Sequence, residues 1–172
     1  MGNQSSFEQH TYLKNVNSKY AYEKKFHDAR FGEIKLLNDK ETNKKVFQKD
    51  STSSNSKELQ AYAKDIKAAS KLSHPNILKI LGYNSLKEDF LCADFFKVSL
   101  FFESFEDDLD HEIRKREKTK NYFSENELWY ILDSIVSACA FLQRNKVKIL
   151  FEEISHYQFY RFDIKILDHI IS

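Results

Sequence analysis

The sequence predicts an α+β protein in which an antiparallel sheet with one packed helix comes first and a mainly helical part follows. Short apolar segments separated by polar turns fill the first half of the chain, which is the pattern of antiparallel strands. One amphipathic helix interrupts them, and a capping-box sequence, Ser124-Glu125-Asn126-Glu127, opens a long apolar segment. With 172 residues, of which 41% are hydrophobic, the chain is long enough to bury a core.

The first three strands are predicted to form a meander. Residues 20–29 and 32–38 have strand-like composition, and the polar residues 39–43 form the turn into a third strand that ends at Lys49. The Ser-rich residues 51–56 are predicted to form a loop after that strand.

One helix and further strands complete the predicted sheet region. Residues 57–72 place apolar side chains at helical spacing, and Ser73-His74-Pro75-Asn76 ends this helix. The apolar, aromatic-rich segments 77–83, 90–96 and 98–105 are predicted to add strands to the antiparallel sheet.

The second half of the chain is predicted to be mainly helical. Residues 107–116 form a short charged helix, and a long helix runs from the capping box to about Asn145. Residues 147–151 and 163–167 are predicted to be strands. The middle of the long helix is apolar on nearly all sides, which is typical of a buried helix.

Composition and charge exclude several classes of function. The chain has 27 Lys and Arg against 26 Asp and Glu, and no basic face, so nucleic acid is not an expected partner. Cys92 and Cys139 stand apart in apolar surroundings, which favours reduced thiols in a cytoplasmic protein over a disulfide or zinc site. There is no signal peptide and no apolar segment long enough to span a bilayer.

The tail formed by residues 1–19 carries a lipidation pattern. Met1 and Gly2, followed by Ser6, match the motif for myristoylation of Gly2 after removal of the initiator methionine. A single acyl chain gives only weak, reversible membrane contact, so a peripheral membrane location is predicted at most. A polar tail without modification is the alternative.

One segment is specific enough to indicate a family. Leu72-Ser73-His74-Pro75-Asn76-Ile77-Leu78 resembles the segment between the regulatory helix and the fourth strand of eukaryotic protein kinases. Phe31-Gly32-Glu33-Ile34 resembles the end of their glycine-rich loop, and Val46-Phe47-Gln48-Lys49 resembles their third-strand motif. The resemblance implies a kinase-like small lobe and hinge over residues 20–105 and an incomplete large lobe over residues 106–172.

The resemblance also implies five nucleotide-binding candidates. Gly32 belongs to the glycine-rich loop, Lys49 would pair with phosphates, and Asp65 would be its partner on the regulatory helix. Glu103 and Phe105 lie in the segment that resembles the hinge. A solvated surface pair formed by Lys49 and Asp65 is the alternative.

The residues that carry phosphoryl transfer in this family are altered here. Glu153 and Gln158 stand at the places of the catalytic-loop aspartate and asparagine, and each is one methylene longer. Asp168 keeps the metal-motif aspartate but is not followed by phenylalanine and glycine. His27 and Ala29 replace two loop glycines, where side chains hinder backbone approach to phosphates. No catalytic residue, metal site or cofactor is therefore expected.

These observations favour a kinase-like binding or scaffolding module over an enzyme. One alternative is an ATP-dependent protein kinase that uses magnesium and these unorthodox residues, and another is a non-functional fragment of a kinase gene. Because the later helices of the family do not follow the long helix, that helix is predicted to bind a protein partner or a second copy. The predicted surface lies around Trp129, Ile135, Val136 and Phe141.

Overall fold

The chain folds as two compact units, each with its own sheet. A computed structural model describes residues 16–28, 32–90, 93–105, 107–147, 157–160 and 163–166. The first unit draws on residues 1–71 and 80–104, and the second draws on residues 72–79 and 105–172. The predicted α+β class is confirmed.

The first unit is built on an antiparallel sheet of five strands. They are β1 (Tyr20–Asp28), β2 (Gly32–Asp39), β3 (Lys45–Ser53), β4 (Ile80–Phe90) and β5 (Ala93–Glu103). Their order across the sheet is β1-β2-β3-β5-β4, so β1 and β4 are its edges. A single-turn helix, α1 (Val16–Lys19), precedes the sheet, and α2 (Ser56–Ala69) leads from β3 towards β4.

The two faces of this sheet carry different side chains because successive residues of a strand point to opposite sides. We call the face that carries Phe47, Lys49 and Ser51 the inner face, and the face that carries Gln48 the outer face. Helix α2 packs against β3, β4 and β5, and its Tyr62 lies next to Ser51. Helix α2 therefore covers part of the inner face.

The Ser-rich loop predicted for residues 51–56 is partly wrong. Strand β3 continues to Ser53, which pairs with Phe96 of β5. Cross-strand pairing with a long neighbour extends β3 beyond the point where its own composition favours a strand. Helix α2 then begins at Ser56 and is capped by Asn55, whose side chain accepts a hydrogen bond of 3.1 Å from the Lys57 N–H.

The three strands predicted for residues 77–83, 90–96 and 98–105 are two long strands instead. Strands β4 and β5 form one hairpin that pairs from Ile80 with Phe102 to Phe90 with Ala93. Strand β4 begins three residues later than predicted because Ile77 is buried in the second unit, against α4 (Glu125–Arg144). Helix α2 likewise ends at Ala69, before the predicted end at residue 72.

The second unit combines two helices with a small sheet. The helices are α3 (Leu109–Thr119) and α4, and the strands are β6 (Asp107–Asp108), β7 (Tyr157–Tyr160) and β8 (Asp163–Ile166). The sheet order is β6-β7-β8, and both pairs of strands are antiparallel. Strand β8 was expected from the sequence pattern, whereas β7 was not. Most of the strand predicted at residues 147–151 lies outside the described residues.

The start of α4 is fixed by the predicted capping box. The Ser124 hydroxyl accepts from the Glu127 N–H at 3.3 Å, and the Glu127 carboxylate accepts from the Ser124 N–H at 2.7 Å. Arg116 of α3 joins this cap, since its guanidinium lies 3.0 Å from Glu127 and 2.8 Å from Glu112. The same guanidinium stacks over the Phe123 ring at 4.0 Å. These contacts hold α3 against the first turn of α4.

The Ser-His-Pro-Asn segment packs on α4, which accounts for its distinctive sequence. Ile77 is buried with Ala138 and Leu142 of α4. The His74 ring lies 5.0 Å from the Phe141 ring, and its Nε2 is 3.3 Å from the Ser137 hydroxyl. This segment is therefore a structural part of the second unit.

Candidate functional site

Lys49 lies on the inner face of β3, where strand pairing fixes its neighbours. It is opposite Ile34 of β2 and Leu100 of β5, and both of these are fully buried. Burial lowers the pKa of the Lys49 ammonium from its ordinary value. Lys49 therefore stands at the margin of an apolar core rather than on an open surface.

An aromatic cluster occupies the inner face beside Lys49. The Phe47 ring meets the Phe26 ring of β1 at 5.4 Å and the Phe102 ring of β5 at 5.8 Å, and both contacts are edge-on. Phe47 and Phe102 are buried, with 5% and 0% of their surface exposed. We call these three residues the phenylalanine cluster. Edge-on packing at these distances is a favourable geometry for aromatic rings.

Phe47 is a candidate site residue that the sequence motifs did not single out. The third-strand motif of kinases reads Val-Ala-Ile-Lys, so Phe47 stands at the place of a small alanine. Strand alternation puts this residue on the same face as Lys49. The sequence contained one signal of this difference, a phenylalanine two residues before the motif lysine. A phenylalanine ring occupies space that the alanine of the kinase motif leaves open.

Gly32 is the first residue of β2, opposite Asp28 of β1. Its φ angle of +68° lies in the left-handed region, which glycine adopts at little cost. Nothing lies within 4 Å of the position that a Cβ would take, so this glycine serves the backbone turn and not a close contact among the described atoms. His27, at the place of a loop glycine, is exposed at the end of β1.

The other small-lobe candidates lie on different elements from Lys49. Asp65 is exposed on α2, and within the described part of the chain no ion pair joins it to Lys49. Glu103 is the last residue of β5, opposite Val46, and is partly buried. Phe105 lies two residues after Glu103 and is also partly buried.

The catalytic candidates of the second half have little described structure. Gln158 lies in β7, opposite Asp108 of β6 and Lys165 of β8. Glu153, Asp168 and the lipidation candidate Gly2 lie outside the described residues. Among the residues that are described, no group of three His, Cys, Asp or Glu side chains is placed to hold a metal ion.

One side of α4 is apolar and exposed, which differs from the all-round burial that its sequence predicts. Ser134, Ala138 and Leu142 line the buried side. The exposed side carries the residues that we call the α4 stripe: Leu128, Trp129, Leu132 and Val136. Leu128, Leu132 and Val136 are four residues apart and Trp129 lies three residues before Leu132, which places all four along one face of the helix.

The surface predicted from the sequence around α4 therefore needs one correction. Trp129 and Val136 are exposed as expected, and Ile135 is partly buried. Phe141 does not belong to the exposed side, because its ring packs on His74 and in the cluster with Ile77. Cys139 is a free, partly buried thiol on the same helix, and Cys92 lies outside the described residues.

Comparison with known proteins identifies the fold. No protein-family model and no curated protein matches the chain. A twitchin kinase fragment from C. elegans, which carries an autoregulated protein kinase and immunoglobulin domains, is similar with a TM-score of 0.73 and 15% identity. The match covers 94% of this chain and 34% of the twitchin fragment.

A second solved twitchin kinase region from C. elegans gives the same result. It is similar with a TM-score of 0.74 and 16% identity. The match covers 96% of this chain and 28% of the twitchin region. The chain thus spans about a third of each of these solved structures. No helix among the described residues is long and apolar enough to cross a membrane. At this level of identity the likeness establishes the fold alone, and that fold is protein kinase-like.

Proposed function

We propose that this chain is a kinase-like binding module that does not transfer phosphate and that contacts a protein partner through the α4 stripe. The phenylalanine cluster is the observation that carries the first part of this proposal. The exposed apolar side of α4 supports the second part.

The phenylalanine cluster argues against a nucleotide next to Lys49. A ring at position 47 occupies the inner face where the family motif has a methyl group, and its two neighbours hold it in place. Opening that space would require the loss of two aromatic contacts, each worth about 0.5–1.5 kcal/mol beyond area burial. The residues present therefore do not fit ATP at this position, and neither ATP nor magnesium is expected as a cofactor.

An ATP-dependent kinase with unorthodox residues remains the second candidate because Lys49 is retained on the inner face. The test is transfer of radiolabelled phosphate from ATP to a generic protein substrate, with magnesium and with manganese. Our proposal predicts no transfer above that of Lys49→Met. Transfer by the unmodified chain that is lost in Lys49→Met would favour the kinase and overturn the first part of the proposal.

The α4 stripe has the properties of a protein-binding surface. Its four residues are each about half exposed, so covering them would remove roughly half of a side chain's surface from water in each case. Because full burial of one large apolar side chain is worth about 1.5–3 kcal/mol, covering four half-exposed ones gives about 3–6 kcal/mol. Trp and neighbouring aliphatic residues on one helix face are typical of the apolar centre of an interface.

The partner of the stripe is proposed to be a second copy of this chain or another protein with a complementary apolar surface. Light scattering of the purified chain alone, over a range of concentrations, distinguishes the two, because without another protein only self-association raises the mass. A second copy predicts a mass that rises with concentration and falls in Trp129→Glu.

We also propose weak, reversible membrane contact through myristoylated Gly2 in an otherwise cytoplasmic protein, on the basis of the N-terminal motif. Gly2→Ala removes the only position that can carry the acyl chain and is expected to shift membrane-bound protein to the soluble fraction. Ser5→Ala is the matched control, because it changes a neighbouring residue and leaves the motif intact. An unmodified N-terminus by intact-mass measurement in eukaryotic cells would refute this part.

A further inference from the structure

The outer face of the five-stranded sheet holds a groove of about 870 Å³ that the proposed function does not use. Its floor is apolar: Tyr20, Leu37 and Phe101 are buried in one cluster with Val46. The Tyr20 and Phe101 rings stack at 5.6 Å with nearly parallel planes. The groove crosses the sheet from β1 to β4 and contains residues of all five strands.

The wall of the groove is cationic. Among the described residues, Lys25, Lys35 and Lys97 line it together with one carboxylate, Glu33, which pairs with Lys25 at 2.9 Å. Lys35 and Lys97 converge on Asp50 of β3, at 2.7 and 3.0 Å from its carboxylate. Because these two lysines share one carboxylate, the group has a net charge of one positive unit. The wall therefore favours a ligand that contains a carboxylate.

Helix α1 leads the chain into this groove. Val16 packs against the floor cluster, and apart from the strands α1 is the only described element that lines the groove. The end of α1 is fixed to the sheet, since the Lys40 N–H donates to the Lys19 carbonyl at 3.0 Å and the Lys19 ammonium lies over the Tyr20 ring at 5.3 Å. The described part of the chain therefore begins at the groove.

We propose that residues 7–15 of this chain occupy the outer-face groove. This segment supplies Phe7, Tyr12 and Leu13 for an apolar floor. It carries one carboxylate, Glu8, for the lysine wall, and its one lysine, Lys14, lies two residues before Val16. Crossing from β1 to β4 spans four strand spacings, or about 19 Å. Nine extended residues reach about 30 Å, so the segment is long enough to cross the groove from Val16.

Trypsin cleavage after Lys14 in the full chain tests the proposal, because a docked segment is protected from a protease. Tyr12→Asp combined with Leu13→Asp removes the apolar contacts and is expected to speed release of residues 1–14 by about tenfold or more, as loss of one buried apolar side chain implies. Thr11→Asp combined with Asn15→Asp adds the same charges at polar positions and is the control for the segment.

Variants of the groove itself make the test independent of changes near the cleavage site. Tyr22→Glu on β1 alters a groove residue that is 61% exposed, and Tyr122→Glu is matched to it at 68% exposure outside the groove. We expect Tyr22→Glu, and also Leu86→Glu on β4, to speed cleavage after Lys14, whereas Tyr122→Glu leaves it unchanged. Circular dichroism checks that each variant is folded.

Two results would overturn the proposal. Equal cleavage rates in the unmodified chain, the Tyr12/Leu13 variant and Tyr22→Glu would show that the segment does not use the groove. Protection of Lys14 that disappears on dilution would assign the groove to a second copy of the chain instead.

Discussion

Phe47→Ala is the substitution that tests the packing of the inner face most sharply. The ring is 5% exposed and has two aromatic neighbours, so its removal takes away apolar burial and leaves a cavity between Phe26 and Phe102. Truncation of a buried phenylalanine to alanine costs about 3–5 kcal/mol. Because a domain is stable by only about 5–15 kcal/mol, the variant should lose a large fraction of its free energy of unfolding.

Urea denaturation followed by circular dichroism measures this loss. Phe47→Leu keeps most of the volume and should cost clearly less, so it remains informative if Phe47→Ala does not fold. Phe123→Ala is the matched control, because Phe123 is a partly buried phenylalanine that lies outside the cluster and stacks on Arg116.

The cavity also gives a gain-of-binding readout. Apolar cavities left by large-to-small substitutions bind benzene, and a ligand that binds only the folded state raises its stability. Benzene should therefore raise the melting temperature of Phe47→Ala and leave that of the unmodified chain unchanged. A loss below about 1 kcal/mol together with no response to benzene would refute the assignment of a packed ring at this position.

Three further predictions concern other parts of the molecule. Burial and the nearby Arg144 lower the pKa of His74, so stability should fall as the pH drops below about 6.5, and His74→Gln should reduce that dependence in pH-dependent urea denaturation. Burial alone would raise the pKa of Asp50, but hydrogen bonds from Lys35 and Ser99 outweigh it and hold that pKa well below its ordinary value. The resulting stabilisation is present above about pH 4 and is lost in acid, and Asp50→Asn should cost about 1–3 kcal/mol at pH 7. Trp129→Glu combined with Val136→Glu should weaken partner binding or self-association in light scattering without lowering the melting temperature, and an unchanged association would contradict the role of the α4 stripe.

The sequence was sufficient to predict the end of a helix or strand where that end is determined by residues close together in the chain. The start of α4 depends on Ser124 and Glu127, which lie three residues apart, and both of its capping bonds are present. The end of β3 depends instead on pairing with a distant strand, since Ser53 pairs with Phe96 of β5, so a Ser-rich composition was misleading there. The order of motifs was enough to indicate the kinase-like fold because each motif belongs to a particular element.

Contacts between distant residues account for what the sequence could not predict about the candidate site. The position of Phe47 relative to Lys49 follows from strand alternation, but its ring partners Phe26 and Phe102 require the register of four strands, β1, β2, β3 and β5. The division of α4 into a buried and an exposed side depends on the segment around His74, which lies 63 residues before Ser137. An apolar helix sequence alone does not determine which of its sides is covered.

Nucleotide affinity tests the central claim most directly. Titration calorimetry of the unmodified chain with ATP, in magnesium and separately in manganese, measures it without assuming a substrate. Our account predicts no saturable binding up to about 1 mM ATP, because the phenylalanine cluster fills the inner face beside Lys49. Binding of one ATP per chain with micromolar affinity, lost in Lys49→Met, would contradict it.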